Sequence, residues 1–338
     1  MRAAVDVMGG DHAPQAILQG CWDAAPLLDA GDTVLLVGDP AVVELALASA
    51  DLPPDKKKLY RIVPAADVIG MDEPPVDAVR AKPQSSINIM CKLAAAGEAD
   101  VVISAGNTGA VVAAAQLRMR TLPGVSRPGI AVVIPTFHGP VTLCDVGANP
   151  LPKPVHMKQY ALMAAAYAHA VCGIEKPRVG LLSIGEEESK GTLAIKHTNH
   201  SMANDPLINF YGNVEGRDLF KGVVDVVICD GFVGNVLLKF FEGAIEGLFR
   251  ELLTNLKEMA PDLLHRFAPV MQKVQGELDW RDYGGAPLLG VAGLCLILHG
   301  RSDARAVKNA IRVGKQLSSS GINQKIVDNI KQAIQEDE

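Results

Sequence analysis

Short apolar runs alternate with segments of helical period through the first two-thirds of the chain, and most of the runs end in glycine and polar residues. The runs predict strands at Ala3–Val7, Thr33–Val37, Arg61–Val63, Val101–Ser104, Ile130–Ile134, Val141–Leu143, Val179–Ile184 and Val224–Cys229. Between them the spacing predicts helices at Pro14–Asp29, Pro40–Ala50, Ser86–Ala96, Gly109–Arg120, Pro154–Val171 and Leu193–Met202. This alternation indicates an α/β fold with a largely parallel sheet. One region breaks the rhythm. From Val236 to Phe267, Leu238, Phe241, Ile245, Leu248, Leu252, Leu256 and Met259 recur at three- and four-residue steps, the mark of an amphipathic helix. Pro261 should end that helix and 262–274 form a second, giving a helical hairpin at about 236–275 that projects from the body. The chain then returns to the sheet at Gly290–Leu298 and closes with helices near Ala304–Leu317 and Gln324–Gln335. No low-complexity linker divides it, so 1–338 is expected to form a single domain.

The polar ends of the strands carry the chemistry. In VVISAGNTGAVVAA, a buried run ends at Ser104 and delivers Gly106, Asn107, Thr108 and Gly109 onto a helix start. The unpaired N–H groups of a first helical turn and the positive end of its dipole favour an anion there. DVMGGDHAP (with Gly9, Gly10 and Asp11), TLCDVGANP (Asp145, Asn149), GLLSIGEEESKGT (Glu187, Lys190) and DVVICDGFVGN (Asp230, Asn235) repeat the logic. Glycine, asparagine and threonine at a strand end also make plain turns and caps. Five such ends on one side of a parallel sheet, however, would form a single cleft.

Other chemistry is excluded step by step. A net charge of −6 argues against general nucleic-acid binding. The six cysteines are far apart and form no C-x-x-C, which fits reduced, buried thiols in the cytoplasm. No signal peptide is evident, and no apolar run is long enough to span a bilayer. The first strand is not followed by G-x-G-x-x-G, and neither a Walker A motif nor a G-x-S-x-G elbow occurs. Cys144 and Cys229 each adjoin an aspartate, which opposes thiolate formation. His197 with His200, and the run Glu186, Glu187 and Glu188, read as solvated faces, so neither a metal nor a cofactor is expected. What remains is a set of anion-binding groups without a nucleophile, as if a bound phosphate itself attacked an activated carbonyl. A thioester suits such an attack, because its thiol leaves with a pKa near ~8.5. Asn107, Thr108, Lys82, Ser85, Ser86 and Lys190 are candidate donors. Arg301, Arg305, Lys308, Arg312 and Lys315 fall on one helical face, either as a docking stripe for an acidic partner or as a solvated face paired with local carboxylates.

DVMGGDHAP, ISAGNTGA, DVGAN, GLLSIGEEESKG, YGNVEGRD, DGFVGN, GAPLLG and HGRSDARA stand in an order that resembles bacterial phosphate acyltransferases over essentially the whole chain. Arg301 departs from that pattern, where a small residue is expected. The resemblance implies a Rossmann-like three-layer sandwich similar to isocitrate/isopropylmalate dehydrogenases and phosphotransacetylases, working as a homodimer. It implies acyl transfer from acyl-acyl-carrier protein to inorganic phosphate in phospholipid synthesis, supplying a membrane glycerol-3-phosphate acyltransferase. The amphipathic region would then serve dimerisation or touch the inner face of the membrane. By chemistry alone, phosphate is expected on Ser104, Gly106, Asn107, Thr108, Gly109, Ser85 and Ser86, with Lys82 or Lys190 neutralising charge. Asp11, Asp145 or Asp230 would orient these donors or accept a proton, and an apolar groove under the hairpin would take the acyl chain. A dehydrogenase on a related fold and a non-catalytic carrier- or lipid-binding scaffold are the rival readings.

Overall fold

The computed structural model describes residues 1–337. Its strands are β1 (Arg2–Asp6), β2 (Thr33–Gly38), β3 (Tyr60–Pro64), β4 (Val101–Ser104), β5 (Gly129–Thr136), β6 (Gly139–Cys144), β7 (Val179–Leu182), β8 (Phe210–Val214), β9 (Val226–Ile228), β10 (Ala286–Leu289) and β11 (Leu294–Ile297). The helices in the first half are α1 (Gln15–Asp23), α2 (Pro40–Ser49), α3 (Pro54–Lys57), α4 (Pro75–Ala81), α5 (Ser86–Ala95) and α6 (Thr108–Arg118). Then come α7 (Pro154–Cys172), α8 (Leu193–Ala203), α9 (Gly231–Met259), α10 (Leu264–Glu277), α11 (Ala304–Ser320) and α12 (Ile322–Asp337). All the strands join one mixed sheet in the order β3-β2-β1-β4-β11-β10-β5-β6-β9-β7-β8.

Successive side chains of a strand face opposite sides of a sheet, and β1 shows the consequence. Ala3 and Val5 enter one core with α1, α7 and α11, while Ala4 enters the other with α5 and α6. Tyr160 and Tyr167 of α7 are wholly buried in the first core. Leu237, Leu238 and Phe241 of α9 pack against the second.

The sheet is mostly parallel, and its three antiparallel pairs decide where the loops go. β10 runs against both β11 and β5, and β5 runs against β6. β1, β2, β3, β4 and β11 therefore point one way, while β6, β7, β8 and β9 point the other. The loops after β1 and β4 leave one edge of the sheet, and those after β6, β7 and β9 leave the opposite edge. β5 alone runs eight residues between the edges, about 26 Å of extended chain. This corrects the expectation of one cleft lined by all five loops: within a chain they divide two and three.

Several boundaries also differ from the sequence reading. β8 has no counterpart in it, because Gly212 and Asn213 interrupt the apolar run. α9 begins at Gly231 rather than Val236, because Asp230 caps it by accepting from Val233 N (2.8 Å). α9 and α10 are separated by a 3-10 turn at Pro261–Leu263, where proline stops the first helix.

Candidate active site

The first edge gathers the loops after β1, β4 and β11. Register places Val5 beside Ile103, so Asp6 and Ser104 adjoin where their strands end. Ser104 Oγ donates to Asp6 Oδ2 (2.7 Å) and accepts from Gly106 N (3.0 Å). Asp6 Oδ1 accepts from Met8 N (3.2 Å), and the Ser86 hydroxyl also bonds this carboxyl. Asp6 is 1% exposed. Burial pushes its pKa up, and the hydrogen bonds from Ser86, Ser104 and the two backbone amides oppose the rise. A carboxyl thus pins the β1 loop, the β4 loop and the start of α5 together. The sequence reading missed it as a site residue, although an aspartate ending an apolar strand was a visible signal.

Two glycines make that junction possible. A Cβ at Gly9 would lie 2.4 Å from Asp6 Oδ2 and 2.8 Å from Gly106 N, so only a residue without a side chain fits between the loops. Gly10 has φ +110° and lies against Ala105 and Gly300. Asp11 N donates to Gly300 O (2.8 Å), which fastens the β11 loop to the same cluster.

At the start of α6, Asn107 caps the helix by accepting from Ala110 N (3.0 Å). Its amide donates to the carbonyls of Met71 (2.9 Å), Glu73 (3.1 Å) and Gly70 (3.3 Å). Direct phosphate contact by the Asn107 side chain is therefore corrected: both ends are spent on the cap and on the strap at 70–73. Lys82 Nζ likewise bonds Val68 O (2.8 Å) and Glu73 Oε1 (2.5 Å), so this cation holds the strap. Ser85 caps α5 through Asn88 and is fully buried. Thr108 is exposed, and the amides of Thr108 and Gly109 have no protein acceptor among the described residues. Of the donors expected to hold an anion at this helix start, these two N–H groups are left open.

The opposite edge holds the other expected residues. Asp145 Oδ1 accepts from the amides of Ile130 (2.9 Å), Ala148 (3.0 Å) and Gly147 (3.2 Å), and Oδ2 accepts from Asn149 N (2.7 Å). Asn149 bonds Pro128 O and Tyr160 Oη, both at 2.7 Å, and Asn235 bonds Val146 O (2.9 Å). Asp230 caps α9. Glu187 and Lys190 are exposed on the loop before α8. Asp145, Asn149, Asp230 and Asn235 thus shape a second set of loops, away from Ser104 and Thr108.

The basic stripe is absorbed at three of its five positions. Arg305 pairs with Asp282 (2.6 Å) and Asp279 (3.1 Å), and Lys315 pairs with Asp29 and Asp32, both at 2.7 Å. Arg312 Nη2 donates to Asp282 O (2.5 Å). The local-carboxylate alternative describes Arg305 and Lys315, while Arg312 is held by a backbone carbonyl. Lys308 is half-buried, and Arg301 is exposed at the β11 loop.

In fold, a crystal structure of a phosphotransacetylase from Streptococcus pyogenes superposes with a TM-score of 0.63 at 15% identity, covering 94% of each chain. A 4-hydroxythreonine-4-phosphate dehydrogenase from Klebsiella pneumoniae gives 0.51 at 14% identity, covering 94% of this chain and 99% of its own. Residues 1–325 match a family model described as "Fatty acid synthesis protein". A Desulforamulus reducens protein named phosphate acyltransferase is 43% identical, covering 100% of this chain and 98% of its own. One of the same name from Nostoc punctiforme is 45% identical, covering 96% and 95%. The chain belongs to the phosphate acyltransferase family.

Membership sharpens the reading of the cysteines. In this phosphate acyltransferase, burial first and Asp145 second push the thiols of Cys144 and Cys229 well above their ordinary range. Neither is a ready thiolate.

Proposed function

We propose that the enzyme transfers an acyl group from acyl-acyl-carrier protein to inorganic phosphate. The observation that carries this reading is the Thr108–Gly109 helix start, with two amides left open above the buried Asp6–Ser104–Gly106 junction. A phosphate held there presents one oxygen to the thioester carbonyl. That oxygen forms the new C–O bond, the tetrahedral oxyanion collapses, and the C–S bond breaks. The products are acyl phosphate and the carrier thiol, which needs little protonation to leave. Preorganised amides stabilise the developing charge. Phosphate-dependent release of free carrier thiol from acyl-carrier protein is the test; thiol release that ignores phosphate would refute the reading.

The division of the loops supports a homodimer. Lys190 and Asp230 can serve a phosphate at Thr108 of one chain only from a second copy whose opposite edge faces it. An isologous contact would then build two composite sites. The exposed apolar residues of α9 and α10, including Leu248, Met259, Phe267 and Val270, support a projecting helical arm that touches the partner or the inner membrane surface. There the acyl phosphate would pass to a membrane glycerol-3-phosphate acyltransferase. Among the described residues no helix is long and apolar enough to cross a membrane.

A further inference from the structure

Between residues 101 and 174 the chain carries five lysine or arginine residues and a single acid, Asp145, although its net charge is −6. Two of the five are engaged: Lys158 pairs with Asp205 (3.0 Å), and Arg118 Nε donates to Asn88 (3.3 Å). The fold brings two of the others together. β5 begins where β6 ends, with Ala131 beside Cys144, so 124–128 and 145–156 leave the same edge of the sheet. There Gln159 accepts from Ser126 N (2.9 Å) and Asn149 donates to Pro128 O (2.7 Å), which brackets Arg127 against the start of α7. Lys153 immediately precedes that helix. Its backbone N–H donates to His156 Nδ1 (3.1 Å), so the neutral ring carries its proton on Nε2 and has that N–H left to give.

No described carboxylate pairs with these cations. Arg127 and Lys153 are both exposed and form no ion pair among the described residues. His156 is half-buried; burial first, then Arg127 and Lys153, push its pKa down, which marks the three as neighbours. The one acid of this stretch, Asp145, is fully buried and spends both oxygens on four backbone amides. Asp230, which adjoins Asn149 through Gly231 N, is turned to its cap at Val233 N. At the Thr108 helix start, by contrast, the expected cation Lys82 is spent on the strap.

We propose that Arg127, Lys153 and His156 form a second anion site, at the start of α7, which binds a phosphate group. A planar guanidinium, an ammonium and an imidazole N–H together supply positive charge and several donors. That set suits the tetrahedral oxygens of a phosphate group better than the two in-plane oxygens of a carboxylate. The site stands on the edge that carries Lys190 and Asp230, away from Thr108 of the same chain. The choice of ligand rests on the acyl-transfer reading above, which offers two sources of this chemistry: inorganic phosphate and the phosphodiester in the carrier's pantetheine arm.

The test compares the parent with Arg127→Gln, Lys153→Gln and His156→Asn, the last of which keeps an acceptor for Lys153 N. Arg127 and Lys153 are exposed, so their variants should unfold as the parent does. KM is measured for inorganic phosphate and, at saturating phosphate, for acyl-phosphopantetheine beside acyl-pantetheine, which lacks the phosphate. Arg127→Gln should raise KM for one phosphate-bearing substrate about tenfold or more, and the other two variants about threefold or more. A rise for inorganic phosphate identifies the attacking anion as the occupant. A rise for acyl-phosphopantetheine that acyl-pantetheine does not share identifies the donor's arm. No rise for either, or one that acyl-pantetheine shares equally, would overturn the proposal. So would sedimentation that shows the Arg127→Gln or Lys153→Gln assembly dissociated, which would give the cluster to a second copy. Loss of the acyl-transfer reading looks different: the parent would release no thiol in response to phosphate from any donor, yet calorimetric titration would still show inorganic phosphate binding it more tightly than the three variants.

Discussion

Asp6 is where the site is most tightly specified. Its carboxyl fixes Ser104, and Ser104 in turn fixes the Gly106 amide, so on the proposed function it is a positioning residue that acts on phosphate through the loop. Asp6→Asn keeps the size but reverses one hydrogen bond. It should raise KM for phosphate about tenfold while kcat falls less, at the tighter end of what one buried bond is worth. Equal changes in a purely structural reporter, such as KM for the acyl donor, would contradict this role. The raised pKa adds a pH signature. A carboxyl whose folded pKa lies above its unfolded one favours folding at low pH, and that contribution is lost as pH rises through the folded value. Unfolding free energy followed against pH should show this decline more steeply in the parent than in Asp6→Asn, where the part due to Asp145, also raised by burial, remains. Asn107 was legible as important but not in its role. The Asn-Thr-Gly pattern signals a helix start, while the strap it binds lies more than thirty residues earlier in the chain and has no local signal. Asn107→Ala should cost about 1 kcal/mol or more in denaturant unfolding, and Asn107→Asp, which retains the cap, should recover part of it.

Among the elements, those with strong periodicity were readable and those fixed by tertiary contact were not. β1, β4 and α6 follow from apolar runs and small-residue helix spacing. The early start of α9 does not, because Gly231 and Gly234 resemble a loop until Asp145 is seen packed against them. α11 shows the same limit: its basic face is plain in sequence, its acidic partners are not. Lys315 and the N-terminus share Asp32, which is 6% exposed. Burial alone would raise the Asp32 pKa, but hydrogen bonds from Lys315 and the terminal ammonium bring it down to about 2. A lowered carboxylate stabilises the fold above its unfolded pKa and loses that stabilisation as pH falls towards the folded value. Asp32→Asn should therefore cost on the order of 2 kcal/mol at neutral pH, and the difference from the parent should shrink towards zero between about pH 4 and pH 2. A deficit that persists at the acid end would mean packing, not charge, holds that corner.

For the whole molecule, the fold class and the family motifs were readable from one end of the chain to the other, but strand direction was not. Nothing local in the apolar runs reveals that β10 and the β5–β6 hairpin reverse the sheet, and this reversal separates Lys190 and Asp230 from Thr108. The proposed composite dimer makes a specific prediction. Gly9→Ala and Lys190→Ala should each be nearly inactive alone. Their co-expressed mixture should recover about a quarter of parental activity, because half the dimers are mixed and each mixed dimer keeps one intact site. No recovery would mean that Lys190 does not complete a site on the partner chain, and full activity of Lys190→Ala alone would place it outside the site. The central claim, that phosphate is the attacking group, is tested most directly by incubating the enzyme with acyl-acyl-carrier protein and radiolabelled phosphate and following the label into solvent-extractable acyl phosphate. Labelled acyl phosphate should form in step with free carrier thiol and only when enzyme and phosphate are both present; free fatty acid in its place, or thiol release without phosphate, would contradict it.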